Sequence, residues 1–272
     1  MRKLLLNFAD RHFSQAQRAN SKTGLKVAGF DEVAACGPRD IAADFFARNE
    51  RILREPRGAG CWLWKPYLMA RALERLKDGD YLFYSDAGAE FIRPIEPLIA
   101  LCEKHGQDVL VFELAGLEKH WTKRDAFLVM GCDSPPYTDT RQRMGTFILC
   151  RRSPFSRGFI GEFLRYAQDE RLITDAPNQL GQPDYDGFIQ HRHDQSLLSL
   201  LSKRHGLQAH RDPSQWGNEM RDLYPESRYE QLIDHTRVRN APHSEGGVIR
   251  RLKRLKRSAL RWLGGVVRRG RA

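Results

Sequence analysis

Residues 60–91 read GCWLWKPYLMARALERLKDGDYLFYSDAGAEF. Leu68, Ala72, Leu73 and Leu76 recur at helical spacing, and Pro66 suits a first turn, where its missing N–H is no loss. Asp78-Gly79-Asp80 closes that helix with turn chemistry. Residues 81–85, YLFYS, are continuously apolar or aromatic until the serine, the mark of a short strand buried on both faces. The strand ends on Ser85-Asp86-Ala87-Gly88. A carboxylate and a glycine at the tip of a buried strand call for an explanation, as do Trp62, Trp64 and Lys65 at the head of the preceding helix.

Outward from this stretch the same alternation repeats. KLLLNFA (3–9) reads as a first strand and LKVAGF (25–30) as a second. DIAADFFARNERIL (40–53) has helical periodicity. DVLVFEL (108–114) and TFILC (146–150) are further strands, and helices are expected over 154–168 and 194–204. Strands alternating with helices predict an α/β fold around a parallel or mixed sheet. In open sheets of this kind ligands sit beyond the carboxyl ends of the strands. Asp86 lies at such an end. A carboxylate there suits a hard divalent cation that bridges a diphosphate, and Gly88 admits close approach or unusual backbone angles. The plain alternative is a turn, since Asp and Gly are common turn residues.

Composition sets the bounds. A chain of 272 residues, 41% hydrophobic and 29% charged, is long enough for a large core and reads as soluble and globular. No apolar run approaches the roughly 20 residues that span a bilayer. The opening MRKLLLNFAD is too short in apolar residues for a signal-peptide core, so a cytoplasmic location is expected. Cys36, Cys61, Cys102, Cys132 and Cys150 are dispersed and odd in number, without zinc-knuckle or CxxC spacing, which predicts reduced thiols. The net charge of +11 is unevenly placed. Residues 246–272 hold ten Lys or Arg and no acid, leaving 35 basic against 34 acidic side chains in the rest. A nucleic-acid enzyme usually carries its basic residues over its body; this chain confines them to a tail, and no nucleic-acid partner is expected. The expected division is a catalytic domain over 1–240 and a basic tail over 241–272.

The order of features resembles bacterial GT-A-fold glycosyltransferases, especially the retaining, galactosyltransferase-like enzymes that use nucleotide sugars. In that group a helix with a basic donor-contacting residue leads into an Asp-x-Asp strand end. Here Lys65 begins a helix leading into DYLFYSDAG (80–88). The group's glycine-containing strand facing the donor sugar is matched by MGTFILCRR (144–152). Its Asp-Gln at a helix start is matched by Asp194-Gln195 in HRHDQSLLSLL (191–201), and its late metal-binding histidine by His235 in IDHTRVRN (233–240). GCWLWKPY, WTKRD (121–125) and HRHDQS also resemble an uncharacterised bacterial glycosyltransferase-like subgroup. The resemblance covers roughly residues 1–240. It implies a GT-A-like, Rossmann-like mixed central sheet flanked by helices; the C-terminal amphipathic helix expected beyond it rests on the tail's own pattern. It implies Asp194 and Gln195 as catalytic, and Asp86 and His235 as ligands of manganese or magnesium. It implies donor contacts at Trp62, Trp64, Lys65, Ser85, Gly88, Lys123, Arg124, Asp125, Gln142 and Gly145. One departure stands against the cation: the second Asp of the motif is Gly88, so one carboxylate is missing.

Glycosyl transfer breaks the bond between the anomeric carbon and a phosphate oxygen. Negative charge on the departing diphosphate needs a divalent cation or Lys and Arg; Lys65, Lys123 and Arg124 are the candidates. For WTKRD the alternative is a solvated loop with Asp125 capping the next helix. Positive charge developing on the sugar needs a carboxylate or amide oxygen, which Asp194 and Gln195 supply; the alternative is that Asp194 caps its helix. Of the two tryptophans, one is expected in the core and one at the ligand. His191 and His193 read as structural. A glycoside hydrolase using Asp86 and Asp194 is a rival chemistry. The expected partners are a nucleotide-sugar donor, a UDP-sugar above others, and a glycan or lipid-linked acceptor in surface polysaccharide or lipopolysaccharide synthesis.

In the tail, Val248, Leu252, Leu255, Ala259, Trp262, Leu263 and Val266 fall on one helical stripe with basic residues on the far side. A basic amphipathic helix with Trp suits an anionic membrane surface, which predicts peripheral attachment through 248–267 to the inner face of the cell membrane. The alternative function is a non-enzymatic membrane- or RNA-binding protein acting through this tail.

Overall fold

The structure is a computed structural model and describes residues 1–236. The tail helix, its membrane face and the boundary at 240 lie outside the described residues. The strands are β1 (Lys3–Phe8), β2 (Glu32–Cys36), β3 (Tyr81–Ser85), β4 (Ala89–Phe91), β5 (Val109–Leu117), β6 (Arg141–Arg143), β7 (Phe147–Arg151), β8 (Ala209–Arg211) and β9 (Ile233–His235). Seven form one mixed sheet in the order β2-β1-β3-β7-β5-β6, with β8 also paired to β5; β4 and β9 form a separate ribbon. β1 runs parallel to β2 and β3, whereas β7 is antiparallel to both β3 and β5.

β3 is buried along its whole length because each face of the sheet is covered. Leu82 and Tyr84 pack with Trp64, Met69, Leu73, Phe163 and Leu197 on one side. Tyr81 and Phe83 pack with Phe30, Phe91, Leu98 and Phe147 on the other. Alternate residues therefore feed two apolar layers, and the strand reads as a continuous apolar run. Helices Trp64–Glu74, Pro154–Ala167 and Asp194–Arg204 build the first layer, and Glu96–His105 covers the second. Ser153 starts the Pro154 helix by accepting a hydrogen bond from the Ser156 N–H at 3.1 Å. Among the described residues no helix is long and apolar enough to cross a membrane.

One expected strand is corrected. Residues 25–30 do not form a strand: helix Ser14–Thr23 continues into a wider helical turn over Gly24–Ala28, which ends at Gly29 with φ 81°. Leu25 and Val27, within the expected strand, point outward at 50% and 36% exposure. Gly24 lets this turn lie on β1, since a Cβ there would sit 2.4 Å from Leu5 Cδ2. The second strand is Glu32–Cys36 instead. The helix expected over 40–53 breaks at Asn49 into Ala43–Arg48 and Glu50–Leu53.

Two features position the chain around Asp86. The antiparallel register sets Ser85 opposite Phe147, and the Asp86 N–H donates to the Thr146 carbonyl at 3.0 Å. Before Lys65, five successive residues hold left-handed φ: Gly58 62°, Ala59 51°, Gly60 101°, Cys61 50° and Trp62 60°. This bend is tied by Trp64, whose Nε1 donates to the Gly58 carbonyl at 2.9 Å. Left-handed backbone costs a non-glycine residue roughly 1–2 kcal/mol. Ala59→Gly should therefore raise stability by about 1 kcal/mol in urea unfolding, and Ala59→Val should lower it. The opposite order would remove the strained bend from this account.

Candidate active site

The Lys65 side chain is 3% exposed, and its ammonium lies 2.5 Å from Asp194 Oδ2, 3.9 Å from Asp86 Oδ1 and 4.8 Å from the Tyr84 ring centre. It donates to the Gly145 carbonyl at 2.8 Å. Four segments thus converge on one buried cation. The Trp64–Glu74 helix brings Lys65 in at its first turn. β3 brings Tyr84 and Asp86, two residues apart and so on one face of the chain. The turn before β7 brings Gly145, and the Asp194–Arg204 helix brings Asp194 and Gln195. Glycine at 145 eases this approach: a Cβ would press on Asp194 Oδ2 and Gln195 Cβ, each at 3.2 Å. His193 holds φ 51° just before Asp194. The backbone is thus strained on both sides of the Lys65–Asp194 pair, as recurs at functional sites.

Burial pushes the Asp194 carboxyl up to about 6; Lys65 pulls it down and Asp86 pushes it further up. The Tyr84 phenol, buried and next to Asp86, is held well above its usual range. It stays protonated and donates to Asp86 Oδ1 at 2.6 Å. Asp86 is the open member of the cluster, with its side chain 34% exposed. Gln195 closes the group: its Oε1 accepts from the Gly145 N–H at 3.1 Å, and its Nε2 donates to Gln142 Oε1 at 2.7 Å.

The remaining residues singled out in the sequence sort by position. Trp64 is core, stacked on Phe8 at 3.8 Å between ring centres. Trp62 is half-buried, 5.1 Å from the His193 ring. Ser85 is buried, accepting from Asn20 Nδ2 at 3.1 Å. Gly88 has no positive φ; its carbonyl accepts from the Thr236 N–H at 2.9 Å. Lys123, Arg124 and Asp125 fasten the 175–185 segment. Lys123 Nζ donates to the Ala176 carbonyl, and the Arg124 N–H donates to Asp184 at 2.7 Å. Arg124 also pairs with Asp133 and lies 4.0 Å over Tyr185. The Asp125 carboxylate accepts from the N–H groups of Gln179 and Leu180. His191 accepts from the Lys123 N–H on Nδ1, which leaves Nε2 protonated to donate to the Leu172 carbonyl at 2.7 Å. Burial keeps it neutral. His193 pairs with Asp175 at 3.1 Å.

His235 faces Ala89 across the β4–β9 ribbon, and its ring lies 5.8 Å from that of Phe147. It therefore comes to the same end of the sheet as Asp86. Even so, among the described residues no three His, Cys, Asp or Glu side chains gather as a metal-holding group. One oxygen of Asp86 already takes the Tyr84 hydroxyl, and Gly88 stands where a second carboxylate would be. These residues do not form a cation cage made by protein alone.

Sequence reasoning missed three features: the Gly58–Trp62 bend, Tyr84 as the partner of Asp86, and Glu118, a buried carboxylate behind Gln142. The Tyr84–Asp86 spacing was the one available signal.

No family model matches the sequence, and no curated protein matches it. Solved structures do. The WbbM bifunctional glycosyltransferase in its apo form matches at TM-score 0.51 and 10% identity, over 89% of this chain and 46% of that one. The fold is of the GT-A type. Mouse xyloside xylosyltransferase 1, also apo, has TM-score 0.45 and 12% identity over 89% of this chain and 99% of that one. The galactosyltransferase LgtC, in complex with donor and acceptor sugar analogues, has TM-score 0.47 and 13% identity over 86% and 87%. This chain spans about half the length of WbbM. Within this GT-A-type sheet the Lys65 cluster occupies the carboxyl end of β3, where ligands of open sheets bind.

The raised Asp194 pKa makes a signed prediction. Between the usual carboxyl range and about 6 the folded state binds a proton that the unfolded state does not. Stability from this group therefore falls as pH rises through that window. Relative to Asp194→Asn, the unaltered protein should be more stable at pH 5 than at pH 7.5, by about 1–1.5 kcal/mol. A pH-independent difference would place Asp194 in a wetter site than this.

Proposed function

We propose that the protein is a glycosyltransferase, a retaining hexosyltransferase that takes a nucleotide sugar, a UDP-sugar above others, as donor. The observation that carries this reading is the junction of Asp86, Lys65, Asp194 and Gln195 at the carboxyl end of β3 in a GT-A-type sheet. Asp86, the exposed member, faces the donor. Asp194 and the Gln195 carbonyl oxygen face the anomeric carbon, where positive charge grows as the bond to the diphosphate oxygen breaks. Lys65 holds both carboxylates in place; with its charge shared between them, the cluster suits an electron-poor sugar carbon. Trp62 lines the sugar or base pocket with an aromatic face. Lys123, Arg124 and Asp125 hold the 175–185 segment as one wall of the donor site. A cation on Asp86 and His235 would need most of its ligands from the donor itself, and no step here depends on it. The acceptor is a glycan or a lipid-linked sugar, and residues 248–267 hold the enzyme to an anionic membrane. The apolar stripe at helical spacing and the ten positive charges of the tail support that last reading.

A thermal-shift screen of UDP-, GDP-, CMP- and dTDP-sugars, with and without manganese, tests the donor. A UDP-sugar should raise the midpoint, whereas manganese alone should not. Asp86→Asn should keep its fold and lose transfer by about 100-fold or more; near-normal turnover would sink the assignment. Transfer should also fall as pH drops through about 6, as Asp194 takes up its proton. Assays of donor hydrolysis with and without acceptor separate a transferase from a hydrolase.

Truncation after Glu245 should release the protein from anionic vesicles and leave donor hydrolysis intact. High salt should release the full chain only in part, because the apolar stripe is not screened. Tight, steeply salt-dependent RNA binding without vesicle binding would make the tail a nucleic-acid arm instead.

A further inference from the structure

We propose that Glu118 is a positioning residue for transfer: through Gln142 it fixes which end of the Gln195 amide faces the Lys65–Asp194 cluster. The proposal rests on the reading of Gln195 as a donor-facing residue.

Glu118 is fully buried at the end of β5. Its Oε1 accepts from Thr122 Oγ1 at 2.7 Å and from Gln142 Nε2 at 2.9 Å. Its Oε2 accepts from the Ser199 hydroxyl and from Lys203 Nζ, the latter at 2.6 Å. Four donors around one carboxylate is a complete set. An amide side chain has two ends of similar shape, and only its hydrogen-bond partners decide its orientation. A carboxylate paired with Lys203 accepts and cannot donate. Gln142, 1% exposed, must therefore turn its NH2 toward Glu118, and the Trp121 carbonyl on the same side demands the same. Its oxygen is then left facing Gln195. Gln195 has to meet that oxygen with its own NH2, at 2.7 Å, so its oxygen lies at the Gly145 N–H. The carbonyl of that same Gly145 holds Lys65.

The chain of acceptors and donors thus has one polarity, set at Glu118 and read out at the cluster. With Gln195 reversed, an NH2 would face the Gly145 N–H and an oxygen would face the oxygen of Gln142. Both contacts are repulsive in a dry site. The consequence concerns chemistry: an amide oxygen stabilises positive charge on a sugar carbon, and an NH2 group opposes it. Glu118 touches no substrate in this scheme and acts only through Gln142.

A double-mutant cycle tests this, read both in thermal unfolding and in donor turnover. Gln195→Glu puts a carboxylate against the oxygen of Gln142, which Glu118 prevents from turning. Glu118→Gln supplies an NH2 at position 118, so Gln142 becomes free to turn. In the combined variant Gln142 can give its NH2 to the new carboxylate at 195 and accept from position 118. The loss of the Lys203 partner is common to Glu118→Gln and the double variant and cancels in the cycle. The expected result is coupling: the turnover loss of the double variant should be at least about tenfold smaller than the product of the single losses. Its unfolding midpoint should likewise exceed the additive value. Glu118→Gln alone should lower kcat about tenfold and leave the donor KM within about threefold, because orientation rather than binding is disturbed.

Additivity in both readouts would overturn the proposal alone. Coupling in stability with turnover unchanged by Gln195→Ala would overturn the transfer reading of Gln195, and the proposal with it. Should the single variants fail to fold, NMR on the unaltered protein decides. The Gln195 side-chain NH2 should give two distinct, slowly exchanging protons; averaged, rapidly exchanging ones would contradict a fixed amide.

Discussion

A buried ammonium is costly unless it is paired and hydrogen-bonded. Lys65 meets that demand by drawing three remote segments to its own helix. It takes the Gly145 carbonyl from the turn before β7, Asp194 from a late helix, and Asp86 with Tyr84 from β3. None of these partners could be removed without leaving charge or dipole stranded in an apolar setting. Removing Asp194 would leave a buried cation, and removing Lys65 would leave a carboxylate whose pKa is already raised to about 6. The pair is thus a constraint on the fold as much as a feature of the site. The sheet order serves it: inserting β7 antiparallel beside β3 is what sets Gly145 next to Asp86.

The cluster is balanced so that its polar groups have definite directions. The Tyr84 phenol keeps its proton and points one oxygen of Asp86; Gly145 uses its carbonyl for Lys65 and its N–H for Gln195. Behind it, Glu118 and Lys203 form a second buried ion pair that carries the Gln142 amide. The site and its backing are therefore one hydrogen-bonded body linking β5, β6 and the Asp194–Arg204 helix. The strain at Gly58–Trp62 and at His193 lies where the chain enters this body from either side. Preorganised dipoles of this kind are what a reaction with developing charge requires.

Much of this was legible from residue patterns, for identifiable reasons. YLFYS read as a strand because two-sided burial leaves a continuous apolar run, and 81–85 is the strand observed. Pro66, Asp78-Gly79-Asp80 and the Leu spacing placed the preceding helix. Asp194 was placed at its helix start by the local pattern. LKVAGF misled because a short alternation cannot be told from a helical turn whose apolar residues face outward; the decisive fact, Gly24 resting on Leu5, is tertiary. Lys65 read as a free cation for a diphosphate, since nothing local reveals that Asp194, far along the chain, lies 2.5 Å from it. Lys123, Arg124 and Asp125 likewise read as a local basic motif, although their partners lie in the 175–185 segment. Glu118 gave no signal at all, because a single acid after a strand looks like any surface residue until its four partners are in place.

On the proposed function, a nucleotide sugar reacts at the Lys65–Asp86–Asp194 cluster. A crystal structure with an unreactive UDP-sugar analogue tests it most directly. The analogue's anomeric carbon should lie within about 4 Å of Asp194 or of the Gln195 amide oxygen, as a reacting geometry requires. Its diphosphate should lie on the Asp86 side, with Lys65 still held by Gly145. An analogue bound at the opposite end of the strands, or bound with its sugar away from Asp194 and Gln195, would contradict it.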